Sequence, residues 1–264
     1  MKKLVAFLLV AVMVLSFAAC GQDKASSDLA SIKEKGELVV GMTLFAPMDY
    51  YDSNNKLTGF EVEFGKAVAE KLGVTPKFVE INWDTKETEL SSGNIDCIWN
   101  GLTITDERKE NMSISTPYLS NKQVMVTKAE NVEKYSADVA SAKIVAEAGS
   151  AGEELATGDE FFTSAEFTAV DSQAKALMEV ASGTADIAIV DYVTSIGSIG
   201  EGTDYADLSV VGSKEFSPEE YGIAFRKGSD VTEEVNKIID ELAKDGTLKK
   251  IADKYKLGDL LLVK

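Results

Sequence analysis

Two residues able to do complementary chemistry stand at matching places in the chain. Arg108 follows the apolar run IDCIW and the segment NGLTIT, in which Gly101, Thr103 and Thr105 lie where a buried strand would end. Asp191 closes a second apolar run, ADIAIV. An arginine holds a carboxylate through two parallel hydrogen bonds, which the point charge of a lysine cannot copy. An aspartate accepts from an ammonium group, and Thr103 can add a hydroxyl. Set opposite each other across a cleft, the pair suits an α-amino acid zwitterion. A plainer reading stands beside this one. Thr105, Asp106 and Glu107 make a helix start with a capping hydroxyl and acids suited to the positive helix end. Arg108 would then be a surface ion-pair partner, and Asp191 a strand-end or capping residue. Their occurrence together at corresponding strand ends favours the first reading.

Positioning those ends requires an α/β framework, and the periodicities supply one. ELVVGM reads as a strand. FEVEFGKAVAEKLG sets Phe64, Ala67, Val68 and Leu72 on one helical face and stops at Gly73, a C-terminal cap. PKFVEI is a second strand, TKETELSSG a short helix and IDCIW a third strand, so a largely parallel sheet with covering helices is expected. A fresh run begins at AKIVAEAG and continues through the helix SQAKALMEVASG to the strands ADIAIV and LSVVG, which predicts a second α/β lobe. The closing VTEEVNKIIDELAKDGTLKKIADKYKLG is two helices with only YGIAFRKG as a strand before them, so it should complete an earlier sheet. The expected first lobe is 28–120 plus 219–264 and the second 123–217, with crossings near Asn121–Met125 and Phe216–Glu220. ELSSGNIDCIWNG and EVASGTADIAIVD share Glu, an apolar residue, Ser-Gly and Asp at equal spacing, ninety residues apart. This match puts Gly101–Thr103 and Asp191 at equivalent strand ends, where open α/β sheets bind ligands.

Composition removes several chemistries. The 264 residues contain no histidine, which excludes Ser-His-Asp and Cys-His catalysis and the commonest metal ligand. The chain opens with Lys2 and Lys3, then Leu4 to Ala19 with Ser16 the one polar residue, then Cys20. This is an export-signal pattern, too short to favour a membrane span. Ala18 and Ala19 before Cys20 resemble a lipobox, although Phe17 stands where leucine is usual. Cys20 is thus expected to carry lipid, such as palmitate, after removal of residues 1–19, with 20–27 as lipidated cysteine and tether. The mature chain keeps 25 basic and 44 acidic side chains, a net charge of −19, which argues against a nucleic-acid partner and for a solvated surface. Only Cys97 remains besides Cys20, so no internal disulfide or cysteine-rich metal site is expected, and Cys97 reads as a buried thiol without function.

The segment NGLTITDERKENMSISTPYLSNKQVMV resembles the G-x-T-I-T-x-E-R and S-x-P-Y segment of the amino-acid-binding proteins of ABC importers. These have the periplasmic-binding-protein type II fold and form extracellular solute-binding protein family 3. LTGFEVEFGKAVAEKLG, AEAGSAGEE and EEYGIAFRKGSD also resemble that family, over about Glu37 to Tyr255. The resemblance implies two α/β lobes with mixed, mostly parallel sheets and a two-crossing hinge. It implies that Arg108 grips the ligand carboxylate, aided by Thr103 and the Gly101 backbone, and that Asp191 takes the ammonium group. Phe45 and Trp83 would sandwich the ligand, and Ser150 would add hydroxyl and amide donors. Asn100, polar where the family is often small or apolar, is expected to bond the ligand's side chain. Ala151 replaces a common threonine, so a contact there would come from its backbone. Met42 sits where some relatives carry an acid, so a neutral amino acid is favoured over a basic one.

The expected partners are therefore a free amino acid, an ABC permease and a lipid anchor, for a monomer held outside the cytoplasm at the membrane, with no cofactor and no catalysis. Two other classes remain open. The fold also hosts a cyclohexadienyl dehydratase-like lyase, for which Glu147 is the one candidate acid, and a sensory lipoprotein would use the same architecture.

Overall fold

The apolar runs form strands and the amphipathic stretches cover them, in a computed structural model that describes residues 27–263. The leader and Cys20 lie outside the described residues. Helix α1 (Asp28–Lys35), capped by Ser27, leads into β1 (Glu37–Met42). A small hairpin of β2 (Tyr50–Tyr51) and β3 (Leu57–Thr58) precedes α2 (Phe60–Leu72) and β4 (Thr75–Glu80). After a 3-10 turn at Trp83–Thr85 come α3 (Lys86–Ser91), β5 (Cys97–Thr103), α4 (Asp106–Asn111) and β6 (Met112–Ile114). The next run is β7 (Leu119–Lys128), α5 (Val132–Ala137), β8 (Lys143–Glu147), α6 (Ala151–Gly158) and β9 (Glu166–Val170). It continues with α7 (Gln173–Ser182), β10 (Ile187–Asp191), α8 (Tyr192–Ser198) and β11 (Leu208–Val210). The chain closes with β12 (Pro218–Arg226), α9 (Val231–Lys244) and α10 (Thr247–Lys254).

The strands follow the order β4-β1-β5-β12-β7-β10-β8-β9, with β6 beside β12 and β11 beside β7. The flanks β4-β1-β5 and β10-β8-β9 are parallel, and the centre is antiparallel. Strand β7 is shared between the two halves. Its Leu119–Lys122 pair with β12, and Gln123–Val126 pair with β10. The strand that the closing helices lacked is β12, seated between β5 and β7. In α9, Val231, Val235, Ile238, Ile239 and Leu242 are buried at helical spacing and join Leu38, Phe64 and Trp99 in one core. A separate core gathers Met125, Tyr135, Ile144, Phe162 and Ile189. Two lobes result, joined through adjacent strands. Cys97 lies in the first core, fully buried.

The third strand is longer than the apolar run IDCIW predicts. It continues through Asn100 to Thr103 because Leu102 and Thr103 pair with Gly222 and Tyr221 of β12. All seven residues of β5 are buried, so its polar end is carried into the space between the lobes.

Candidate functional site

A narrow cavity lies between the carboxyl ends of β5 in one lobe and of β8 and β10 in the other. Trp83, Asn100, Gly101, Thr103 and Arg108 border it from the first lobe, and Glu147, Ser150, Ala151, Gln173 and Asp191 from the second. The volume open to the centre of a water molecule is about 10 Å³, room for about one water. As the lobes stand, the cavity is too small to hold an amino acid. A larger surface groove of about 560 Å³, between Glu87, Asn111 and Arg226, has no such convergence of groups from two lobes.

Thr105 does cap α4, its hydroxyl accepting from the Arg108 N–H at 3.1 Å. The Arg108 side chain, however, is not on the surface: it is 5% exposed. Its Nη1 donates to the Thr103 carbonyl at 2.8 Å. Its Nη2 crosses to the second lobe, donating to Glu154 Oε1 at 2.8 Å and to the Gly149 carbonyl at 3.4 Å. Lys86 reaches across in the same way, donating from Nζ to the Gly149 carbonyl at 2.8 Å while standing 4.9 Å from the centroid of the Trp83 ring. Burial, then the nearby Arg108 charge, lowers the Lys86 pKa to about 8. Gly149 has φ of +69°, and a Cβ there would lie 3.0 Å from Asp84 Cα. Only glycine allows this approach without strain.

Asp191 forms the opposite wall. It precedes α8 but makes no side-chain cap. Its Oδ1 accepts from Asn121 Nδ2 at 2.7 Å and Gln123 Nε2 at 2.6 Å, and its Oδ2 from Gln173 Nε2. Gln173 Oε1 in turn accepts from the Asp191 N–H at 3.0 Å and from the Thr194 hydroxyl at 2.7 Å. Burial raises the Asp191 pKa, and the amide donors oppose the rise. A carboxylate offers roughly four acceptor sites, so one more donor can be accommodated. Glu147 ends the neighbouring strand β8. It is buried, and its Oε1 has no hydrogen-bond partner among the described residues. Burial, then the Asp191 charge, pushes its pKa up to about 8 against the opposing pull of Lys86.

The remaining expected residues have partners within the protein. Ser150 caps α6, accepting from the Glu153 N–H at 3.2 Å, while Glu153 Oε2 accepts from the N–H of Gly149, the residue before the cap, at 2.6 Å. Thr103 donates to Glu219 Oε2 at 3.1 Å. The Gly101 N–H donates to Glu61 Oε1 and Oε2 at 3.0 and 3.1 Å, so it is turned into the first lobe and away from the cavity. Glu61 also accepts from the Tyr118 hydroxyl. Burial lifts the Glu61 pKa to about 7, and burial and the Glu61 charge hold Asp49 well above the carboxylate range, so this pair keeps a proton near neutrality. Asn100 borders the cavity with its amide engaged, donating to the Thr43 carbonyl at 2.9 Å and accepting from the Thr43 hydroxyl at 2.7 Å. Phe45 is in the first core and does not border the cavity, its ring lying 3.0 Å from where a Gly101 Cβ would be. Among the described residues no group of three or more Asp, Glu or Cys side chains is placed to hold a metal ion, and no helix is long and apolar enough to cross a membrane.

Two α/β lobes sharing strands, with a polar cavity between facing strand ends, define a type II periplasmic binding protein fold. Residues 38–258 match the bacterial extracellular solute-binding proteins, family 3, and the chain belongs to that family. It is 33% identical over 254 residues to the L-cystine-binding protein TcyJ of Escherichia coli, covering 94% of each chain. Among solved structures it is similar to a histidine-bound ABC uptake transporter substrate-binding protein from Streptococcus pneumoniae. That likeness has a TM-score of 0.79 at 27% identity and covers 90% of this chain and 100% of the other. It is similar as well to an ancestral amino-acid-binding protein described as a precursor of cyclohexadienyl dehydratase, with a TM-score of 0.78 at 32% identity over 87% of this chain and 99% of that one.

Sequence reasoning passed over Lys86, Gln173, Asn121, Gln123 and Glu219. Gln173 had a usable signal, since it opens the helix after β9 and so stands at the carboxyl end of a parallel strand. Lys86, within TKETEL, has none, because nothing local distinguishes it from a solvated helix lysine.

Proposed function

We propose that this chain, held outside the cytoplasm at the cell membrane by lipid on Cys20, captures a free amino acid between its lobes and delivers it to an ABC permease. The observation that carries the reading is the convergence of Arg108 and Asp191 on opposite walls of one inter-lobe cavity. Arg108 keeps Nη1 on the Thr103 carbonyl and turns Nη2 into the cleft, where a ligand carboxylate takes the place of the half-exposed Glu154. Asp191, held by three amide side chains, receives the α-ammonium group. Trp83 provides an apolar wall, and Ser150 contributes the start of α6.

Opening flexes β7 and β12 where they run between the lobes, and closure restores the contacts of Lys86 and Arg108 with Gly149. The closed form is then what the permease recognises. A thermal-shift screen of the protein against the twenty amino acids tests capture, because a ligand of the folded state alone raises the melting temperature by mass action. No shift with any of them would overturn the reading.

A lyase reading has one observation in its favour, the buried Glu147 with a pKa of about 8, suited to a general acid near neutrality. Incubation with prephenate or arogenate decides it: decarboxylated product would establish catalysis, and unchanged substrate would leave capture alone.

A further inference from the structure

We infer that the amino acid taken by this cavity carries a second protonated nitrogen, and that Glu147 is the residue that receives it. The inference rests on amino-acid capture and assigns the ligand class of the same site. The two walls differ in sign. Lys86 and Arg108 approach from the first lobe, and Glu147 and Asp191 stand at the ends of adjacent parallel strands of the second. A zwitterion satisfies Arg108 with its carboxylate and Asp191 with its ammonium group. Glu147 is left over.

The hydrogen-bond inventory singles out the same side chain. Asp191 accepts from three amide side chains, Glu61 from the Gly101 N–H and the Tyr118 hydroxyl, and Glu219 from Thr103, Asn121 and Gln123. Asp49 Oδ1 also lacks a donor, but Asp49 does not border the cavity, and burial and the neighbouring Glu61 raise its pKa. Glu147 therefore combines a buried, unpartnered carboxyl oxygen with a place on the cavity wall. Lys86 does not serve it: its Nζ is directed to the Trp83 and Gly149 carbonyls, and no ion pair joins it to Glu147. A buried acceptor without a donor is unfavourable, and a cationic nitrogen on the ligand corrects charge and hydrogen bonding together. Met42 in the first lobe supplies no acid, whereas Glu147 comes from the end of a strand in the other lobe.

The class is tested by titration calorimetry with pairs matched in length: L-arginine against L-citrulline, and L-lysine against L-norleucine. L-cystine against S-methyl-L-cysteine separates a second α-ammonium group from a side-chain nitrogen. The charged member of at least one pair should bind roughly thirtyfold or more tightly than its neutral match, in line with the value of a close desolvated charge pair. Glu147→Gln should remove most of that difference, and Glu147→Asp should retain part of it. Lys86, Arg108 and Asp191 are the charged groups facing Glu147. Among these groups, Glu147 must lose its proton to meet a cation, so binding should release a proton between pH 6 and 7.5 and affinity should rise several-fold or more over that range. Charged and neutral members binding within threefold of each other in every pair would overturn the inference and leave capture standing. Discrimination that survives in folded Glu147→Gln would also overturn it. Failure of every amino acid to bind would instead overturn the capture reading on which it depends.

Discussion

Replacing Arg108 with alanine separates the binding role from the structural one. The side chain is 5% exposed and makes three donor contacts, two of them across the cleft. The partner Glu154 is 56% exposed, so the Arg108–Glu154 pair is screened and contributes at most about 1 kcal/mol. A ligand carboxylate enclosed by the lobes has no such screening. Truncating one member of a desolvated charge pair costs about 2–5 kcal/mol, which corresponds to a loss of affinity from roughly thirtyfold to several thousandfold. Arg108→Lys should recover only part, because the two-bond geometry is lost. Glu154→Gln should change affinity less than about fivefold, since it removes only the screened partner. The assay is titration calorimetry with the best ligand from the thermal screen, with circular dichroism and melting to establish that each variant is folded. Folded Arg108→Ala binding within threefold of the parent would refute the carboxylate role and return Arg108 to inter-lobe bracing alone.

The buried acids set a pH dependence. Their folded pKa values are raised, so the stability they contribute is complete below the unfolded value of 4.5 and is lost as pH rises through about 7 for Glu61 and about 8 for Glu147. The melting temperature of the ligand-free protein should fall between pH 5 and 8, on the order of 10 °C, and Glu147→Gln should flatten the slope; a flat parent profile would contradict the assigned burial. Closure can be weakened without touching the cavity. A Cβ on Gly197 of α8 would lie 2.5 Å from the Pro47 nitrogen and 2.7 Å from the Ala46 carbonyl carbon. Overpacking of about 1–3 kcal/mol against the first lobe should lower affinity in Gly197→Ala by about 5- to 150-fold; an unchanged affinity would show that this contact plays no part in closure. For the anchor, Cys20→Ser should move the processed protein from the membrane to the soluble fraction, and retention in the membrane would exclude lipid on that residue.

The two α/β lobes and the helix ends at Gly73 and Gly183 follow from local periodicity and cap chemistry, which neighbouring residues determine. The place of Asp191 at a strand end, and of Arg108 in the first turn of the helix that follows one, is equally local. Where their side chains point is not. Asp191 is kept from capping α8 by Gln173, eighteen residues before it, and by Asn121 and Gln123, which β7 brings alongside through its pairing with β10. The Gly101 N–H, expected to serve a ligand, is taken by Glu61 from a helix forty residues earlier. Glu147 stands in sequence at an ordinary strand end, and only the tertiary structure leaves it buried on the inter-lobe cavity without a partner. Lys86 reaches Gly149, sixty-three residues away, for the same reason. Periodicity along a chain reports which face is apolar, but the direction of a polar side chain depends on donors and acceptors delivered by distant segments. Those distances exist only once both lobes have folded and closed on each other.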